Sequence, residues 1–164
     1  MTISPKELRS ILRQWASGVT IVTAGHDGVL HGMTVSSFSS VSLDPPLISV
    51  NIGRLTRTHS LMNEAGAFAV SILASDQQDL ADHFGGAVPD TEQRLDGIAY
   101  RLGPLGSPLL EGSLASFEAK IYATVPAGTH SIFIGEVATW DIQRGKLPLM
   151  YWQRQYRSLS RNAD

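Results

Sequence analysis

The sequence has no cysteine among its 164 residues, which excludes disulfide bonds, thiolate metal sites and cysteine nucleophiles. Charged residues make up only 17% and neither sign dominates, since 13 Lys and Arg face 15 Asp and Glu for a net charge of -2. This balance argues against a nucleic-acid partner. No apolar run approaches the roughly 18 residues of a membrane-spanning helix, so no membrane partner is expected either.

Motifs that would identify a catalytic mechanism are also missing. There is no GxGxxG after a strand, no phosphate-loop lysine motif and no GxSxG elbow. The five histidines lack the spacing of zinc ligands, so no metal site is predicted. Asp44 precedes two prolines and is interpreted as a turn former. The first ten residues, MTISPKELRS, are too polar for a signal peptide, so a soluble cytoplasmic protein is expected.

Helix signals occur at three places in the chain. Ser4, Pro5 and Glu7 form a capping box with proline at the first helical position, and apolar residues follow at helical spacing. TRTHSLMNEAG predicts a short helix that Thr56 or Thr58 caps and Gly66 ends. SDQQDLADHFGG predicts a second capped helix that two glycines end, and residues 85–108 are expected to form a loop.

Strands account for most of the remaining sequence. Short β-rich runs are separated by turns such as HDG, PAGT and RGK. In LASFEAKIYATV the odd-numbered residues from Ala115 to Val125 are predicted to be buried, and the residues between them, including Ser116 and Glu118, to be solvated. Strands do not alternate with long helices, so the prediction is a mainly β fold, an antiparallel β-barrel with short peripheral helices, in a single domain spanning residues 1–164.

One strand-like stretch, GMTVSSFSSVSLDP, is unusually rich in small hydroxyl residues. Six of the nine residues from Thr34 to Ser42 are serine or threonine. Such a stretch is compatible with an ordinary solvated sheet face. It is equally compatible with a strand against a flat polar ligand, because small side chains allow close approach and hydroxyls both donate and accept hydrogen bonds. An isoalloxazine ring is a ligand that needs such a surface.

The segment NIGRLTRTHS, which follows the next strand, offers an anion site. Arg54 and Arg57 provide charged hydrogen-bond donors, and Thr56 and Thr58 lie at a predicted helix start whose amides favour a phosphate group. The alternative interpretation is that both arginines are exposed surface residues without a ligand.

The run WASGVTIVTAGHDGVLHGMTVSSFSSVSLDPPLISVNIGRLTRTHSLM resembles the flavin reductase-like family, which has an FMN-binding split barrel. The resemblance continues through GAFAVSIL, LADHFGG, SFEAKIYATVPAGTHSIFIGEV and PLMYWQRQYRSL, and covers about residues 8 to 159. It implies a homodimer that transfers hydride from NADH or NADPH to FMN or FAD. It also implies that the reduced flavin passes to a flavin-dependent oxygenase component.

The resemblance also implies which residues line the site. Those expected at the isoalloxazine and ribityl chain are Met33, Thr34, Val35, Ser36, Ser37, Ser49, Val50 and Asn51. Those expected at the phosphate end are Arg54, Arg57 and Thr58, while Phe84 and Gly85 should close over the flavin. Tyr151 and Tyr156 match an aromatic C-terminal stretch near the site, although a purely structural role in the core is equally compatible.

His130 is the one catalytic candidate, and the resemblance carries it too. It matches the histidine of the family's GDH motif beside the nicotinamide. Thr129 stands where that motif has aspartate, which puts the usual hydrogen bonding of the histidine in question and leaves the fold prediction unaffected.

Two other functions remain compatible with the same barrel. One is a non-catalytic flavin-binding or electron-transfer protein, and the other is a structural barrel that binds no flavin. The sequence does not distinguish FMN from FAD or NADH from NADPH.

Overall fold

The computed structural model describes residues 3–87 and 94–159, and the fold is mainly antiparallel β with short helices. The predicted barrel with peripheral helices is therefore confirmed. The helices are α1 (Pro5–Leu12), α2 (Arg57–Ala65) and α3 (Gln78–Asp82). The strands are β1 (Ser17–Gly18), β2 (Thr20–His26), β3 (Val29–Val35), β4 (Ser39–Leu43), β5 (Pro46–Gly53), β6 (Ala67–Ile72), β7 (Tyr100–Leu102), β8 (Pro108–Leu110), β9 (Ala115–Ala127), β10 (His130–Ile142), β11 (Leu149–Trp152) and β12 (Gln155–Ser158).

Seven strands form the main sheet, in the order β3-β2-β6-β9-β10-β5-β4. The two edge strands, β3 and β4, are consecutive in the chain and only residues 36–38 separate them. The hydroxyl-rich stretch is thus not one strand, as its pattern suggested, but two strands with a break between them. Ser37 in that break exchanges hydrogen bonds with the main chain of Asn51 on β5, at 3.0 and 3.2 Å. These bonds bring the two edges of the sheet together.

Local sequence signals predicted the helix ends well. Ser4 and Glu7 form the predicted capping box of α1. Thr56, and not Thr58, caps α2 by accepting a hydrogen bond from the His59 amide, and Gly66 ends α2 in a left-handed conformation. The predicted cap of α3 is wrong, because its N-cap residue, Gln77, makes no side-chain capping bond.

The core consists of two neighbouring clusters that share β2. The larger is centred on the fully buried Phe68 and Phe133, and the smaller lies under α3 and the β11–β12 hairpin. Gly135 lies where a Cβ atom would come within 2.6 Å of the Phe68 ring, so only glycine lets that ring pack against β10. Among the described residues, no helix is both long and apolar enough to cross a membrane.

The predicted burial pattern of β9 is wrong in both halves of the strand. Ser116 and Glu118, expected on the solvated face, are 6% and 0% exposed, whereas Val125, near the other end and expected to be buried, is 47% exposed. Ser116 and Glu118 are buried because the segment predicted to be a loop contains β7 and the turn that leads to β8, and this turn covers the first half of β9. The Glu118 carboxylate accepts hydrogen bonds from the amides of Leu105 and Ser107 in that turn, at 2.9 and 2.8 Å.

We expect Glu118→Gln to destabilise the fold, because the amide would turn a donor toward the backbone amides of Leu105 and Ser107 or leave them weakly bonded. Hydrogen bonds to charged groups contribute about 1.5–3 kcal/mol each, so a loss of roughly that size in the free energy of unfolding is expected. Denaturant titration measures it. Glu136→Gln, on an exposed position of β10, is the matched control and should change stability by less than about 0.5 kcal/mol. Equal losses in the two variants would contradict the structural role of Glu118.

Candidate functional site

Three clefts adjoin the second half of β3. The tyrosine cleft, with a volume of about 240 Å³, is lined by Val19, Thr34, Val35, Ser36, Gly85, Tyr151 and Tyr156. The histidine cleft, of about 540 Å³, is lined by Met33, Thr34, Val35, Ser36, Ser37, Asn51, Ala127, His130 and Ile132. The helix-start cleft, of about 180 Å³, is lined by His31, Met33, Thr56, Thr58, Phe84, Gly85, Gly86 and Arg94. Each pair of these clefts shares at least one lining residue, and the three together are called the depression.

The end of β3 supplies the shared wall. All five residues predicted there, from Met33 to Ser37, line at least one cleft. The Thr34 hydroxyl donates to the Ala81 carbonyl at 2.8 Å, which ties the wall to α3. That hydroxyl therefore offers its lone pairs to a ligand, while the shape of the wall is set by contacts within the protein.

On β5, only one of the three predicted residues lines a cleft. Asn51 lines the histidine cleft, whereas Val50 is fully buried in the larger core cluster and Ser49 lies outside the three clefts. The alternation of side chains along a strand explains why Val50 faces away from Asn51. Ser49 shares the face of Asn51 but lies where β5 pairs with Ser39 of β4.

The three residues predicted at the phosphate end do not lie together, since Thr58 lines a cleft and Arg54 and Arg57 do not. Thr58 is fully buried and its hydroxyl lies 2.8 Å from His31 Nδ1, in the helix-start cleft. Arg54 is exposed and lies outside the three clefts. The Arg54 amide donates to the Thr129 carbonyl at 3.0 Å, so Arg54 lies beside the turn between β9 and β10. Burial lowers the pKa of His59, and the Arg54 charge lowers it further. Arg57 is half-buried in the first turn of α2, also outside the clefts.

Two charged or titratable residues of the helix-start cleft, His31 and Arg94, escaped the sequence analysis. Arg94 is 6% exposed; its Nη2 donates to the His83 carbonyl at 2.9 Å, and His83 Nε2 lies 2.8 Å from the Arg94 carbonyl. Its guanidinium carbon lies 6.0 Å from the centre of the Phe84 ring. His31 could have been found, because it lies two residues before Met33 on the same face of β3. Nothing in the sequence around Arg94 indicates that this residue lines a cleft.

Phe84 and Gly85, predicted to close over the flavin, lie in the wide helical turn His83–Ala87 that follows α3. Phe84 is 2% exposed and packs in the smaller core cluster, while the exposed Gly85 lines two of the clefts. A Cβ atom on Gly85 would lie 3.8 Å from the Thr34 hydroxyl, so the main chain here runs close to the β3 wall. Gly86 has a φ of 102°, a conformation that favours glycine.

The histidine and the tyrosines occupy opposite sides of the depression. His130 is exposed at the start of β10 and its Nδ1 lies 2.9 Å from the Thr129 hydroxyl. A neutral hydroxyl is thus the partner of this histidine. Tyr151 and Tyr156 pair across the β11–β12 hairpin with ring centres 5.3 Å apart, and both line the tyrosine cleft. The tyrosines therefore contact the site and the smaller core cluster at once.

The chemistry of this depression suits a neutral planar ligand with an anionic end. No described residue that lines the three clefts is acidic, and the central wall offers hydroxyls and main chain. Basic groups lie at the periphery, as Arg94 at one end and His130 at another. Among the described residues, no three His, Asp or Glu side chains group closely enough to hold a metal ion.

Comparison with known proteins gives a consistent picture. A family model described as flavin reductase like domain matches residues 12–160. An NADH-dependent flavin reductase of a Rhodococcus species is 38% identical over 96% of this chain and 88% of its own. The reductase subunit HsaB of a flavin-dependent monooxygenase from Rhodococcus jostii is 34% identical over 96% of this chain and 79% of its own. The structure of the Streptomyces globisporus NADH:FAD oxidoreductase SgcE6 with NAD and FAD fragments superposes with a TM-score of 0.89, at 33% identity over 100% and 99% of the two chains.

The environment of Tyr156 gives a test of the tyrosine cleft. Burial raises the pKa of Tyr156 to about 12, and a hydrogen bond to the Asp82 carboxylate adds to the effect. Between pH 10 and pH 12 the folded chain keeps the Tyr156 phenol proton, whereas the unfolded chain loses it. The stability that the protonated phenol contributes is therefore complete below pH 10 and is lost as the pH rises toward 12.

We therefore expect Tyr156 to remain mostly a neutral phenol at pH 11. A phenol with a pKa of 12 is about one-tenth ionised at that pH, against about nine-tenths for an unperturbed one. The measurement is the 295 nm absorbance of the wild type minus that of Tyr156→Phe, with the same difference in guanidinium chloride as the control. A native difference as large as the denatured one would contradict the buried, hydrogen-bonded phenol.

Proposed function

The chain belongs to the flavin reductase-like family, and on that premise we propose how its clefts support hydride transfer to a flavin. It is a flavin reductase that transfers hydride from NAD(P)H to FMN or FAD and supplies reduced flavin to a partner oxygenase. The observation that carries the proposal is the single depression in which a neutral hydroxyl wall lies between His130 and the tyrosine pair. The match to reductases over nearly the whole chain supports it.

We propose that the isoalloxazine ring lies along the β3 wall between Thr34 and Ser37. Main-chain groups and hydroxyls there supply hydrogen bonds without bringing a full charge against the ring. Asn51 and Gly85 bound the ring from β5 and from the turn after α3. Preorganised donors of this kind stabilise negative charge that develops on a bound ring, and they do so without reorganising.

The phosphate end is assigned to the helix-start cleft. Its lining combines the first turn of α2, whose amides favour an anion, with the Arg94 guanidinium. Thr56 and Thr58 are both engaged within the protein, to Gly53 and His31, and so keep the cleft in shape. Arg57, at the first position of α2, adds positive charge to the same helix end.

His130 is assigned to the nicotinamide side. A bound flavin accepts hydride from the nicotinamide ring, and the cofactors supply that chemistry. The protein has to hold the two rings at reacting distance and exclude other geometries. His130 lies at the rim of the histidine cleft with Thr129 fixing its Nδ1 side, which leaves Nε2 to orient the nicotinamide.

The proposed function also bears on the oligomeric state, the domain organisation and the cellular location of the protein. We propose a homodimer, because the single chain leaves Leu43 and Trp140 exposed by 90% and 65%. A sedimentation-equilibrium mass of one chain, 17.7 kDa, would contradict it. We further propose that residues 1–164 form one domain and that the protein acts in the cytoplasm, where nicotinamide coenzymes are available.

The function predicts that the purified protein accelerates NADH or NADPH oxidation only when flavin is added. The decrease in 340 nm absorbance, recorded with FMN, FAD and riboflavin in turn, measures it. Tight flavin binding without coenzyme oxidation would instead identify an electron-transfer or storage protein. No flavin binding and no oxidation would contradict both.

His130→Ala should raise the KM for the nicotinamide coenzyme or lower kcat, while the flavin Kd stays nearly unchanged. Loss of one positioning contact commonly costs about 1–3 kcal/mol, or roughly 5- to 150-fold in kcat/KM. His26→Ala, at the half-buried last residue of β2 and outside the three clefts, is the matched control. A collapse of flavin affinity with an unchanged coenzyme KM would place His130 on the flavin side instead.

A further inference from the structure

One side chain of α2 supports the start of β10 from behind. His59 is half-buried, and its Nε2 lies 2.9 Å from the Ser131 hydroxyl. Its ring also meets the Phe133 ring edge-on, with ring centres 5.1 Å apart. Because side chains alternate along a strand, Ser131 and Phe133 lie on the face of β10 opposite to His130, which lines the histidine cleft. His59 therefore packs against the back of the strand that carries His130.

The main chain of His59 is fixed at the start of α2. The Thr56 hydroxyl accepts a hydrogen bond from the His59 amide and donates to the Gly53 carbonyl. Gly53 pairs with His130 in the sheet, and a Cβ atom on Gly53 would lie 3.4 Å from the Thr56 methyl group and 3.9 Å from His130 Nε2. The starts of α2 and β10 thus meet at Gly53. His59 links the same two elements through its amide and its side chain.

The contacts of His59 require a neutral imidazole with its proton on Nε2. The Asn63 amide nitrogen donates to the His59 carbonyl at 2.8 Å and lies 3.2 Å from His59 Nδ1. An amide nitrogen only donates, so Nδ1 has to be the acceptor. The proton of the neutral ring therefore lies on Nε2, which donates it to the Ser131 hydroxyl. A second proton, on Nδ1, would set donor against donor and break the Asn63 contact.

The surroundings of His59 favour this neutral form. Burial lowers the pKa of His59 from 6.5, and the Arg54 charge in the turn before α2 lowers it further. The groups that contact the ring from α2 and β10, which are Asn63, Ser131 and Phe133, carry no charge. The stability that the neutral ring contributes is therefore complete above pH 6.5, and it is lost as the pH falls through the lowered pKa.

We propose that His59 is a positioning residue for hydride transfer: as a neutral donor to Ser131, it holds the start of β10 so that His130 stays at the rim of the histidine cleft. This inference rests on the proposed function, in which His130 orients the nicotinamide. His59 lines none of the three clefts, so its effect has to pass through β10. The position of His130 becomes sensitive to acid through the same contact.

The first test replaces His59 in two ways. His59→Leu removes the hydrogen bond, whereas His59→Gln keeps a donor near the position of Nε2 and does not titrate. At neutral pH and saturating FMN, kcat/KM for NADH should fall about fivefold or more in His59→Leu and recover to within about twofold in His59→Gln. The FMN Kd should change less than about twofold in both, and His26→Leu, at the half-buried end of β2, is the matched control.

A double-mutant cycle tests whether His59 acts through Ser131. Ser131→Ala should lower kcat/KM about as much as His59→Leu does, and the two changes together should cost no more than either alone. Losses that multiply in the double variant would show that the two residues act independently, and this result would overturn the proposal.

The pH dependence gives a readout that a purely structural role would not move. The ratio of kcat/KM in His59→Gln to that in the wild type should rise as the pH falls from about 7.5 to about 5, because only the wild type loses the neutral donor. Both proteins keep every other titratable group, so the remaining pH dependence cancels in the ratio. A ratio that stays constant over this range would overturn the proposal.

The Cε1 proton resonance of His130 reports the surroundings of this residue without turnover. In proton–carbon correlation NMR spectra at neutral pH, the resonance should move in His59→Leu and return in His59→Gln. If the wild type oxidises no coenzyme but the resonance moves in this way, the proposed function fails and the positioning contact stands. An unmoved His130 resonance beside a fall in kcat/KM would show that His59 acts elsewhere, and it would overturn the proposal.

Discussion

The site depends on how the sheet closes between its two edge strands. β3 and β4 lie at opposite edges of the seven-stranded sheet, yet residues 36–38 connect them. β5 extends beyond its pairing with β4, so the main chain of Asn51 has no partner on β4 and needs hydrogen bonds from elsewhere. The Ser37 hydroxyl supplies them by bonding both the amide and the carbonyl of Asn51. Ser37 therefore serves closure of the barrel.

This closure also explains where the clefts lie. The break keeps the end of β3 from being covered by a neighbouring strand, so its residues face open space. The turn after α3 approaches this wall from one side and the β11–β12 hairpin from another. The Thr34 bond to Ala81 joins the wall to the first of these elements. The depression is thus formed by separate parts of the chain, which include β3, β5, the start of β10, the turn after α3 and the β11–β12 hairpin.

Charge is arranged around the depression and not within it. The described lining of the central wall is neutral, while Arg94 lies at one end and a groove lined by Arg9, Arg13 and Arg154 opens at another. Arg94 can be nearly buried because the His83 carbonyl accepts its hydrogen bond. A neutral centre with cationic ends suits two ligands that each combine an uncharged ring system with phosphates. The overall net charge of -2 gives no indication of this local arrangement.

The amino-acid sequence by itself determined the features that depend on neighbours in the chain. The capping box of α1 and the ends of α2 at Thr56 and Gly66 were predictable because caps are local. The ordered motifs also identified the family. Only the tertiary structure decided which residues are brought together from distant parts of the chain. Glu118 is buried because a turn eleven to thirteen residues earlier covers it, and Arg94 reaches the cleft through a reciprocal contact with His83. The carbonyl of Arg13 meets the tip of the β11–β12 hairpin through the Gln153 amide. Such partners depend on how the chain packs, and spacing along the sequence does not encode them.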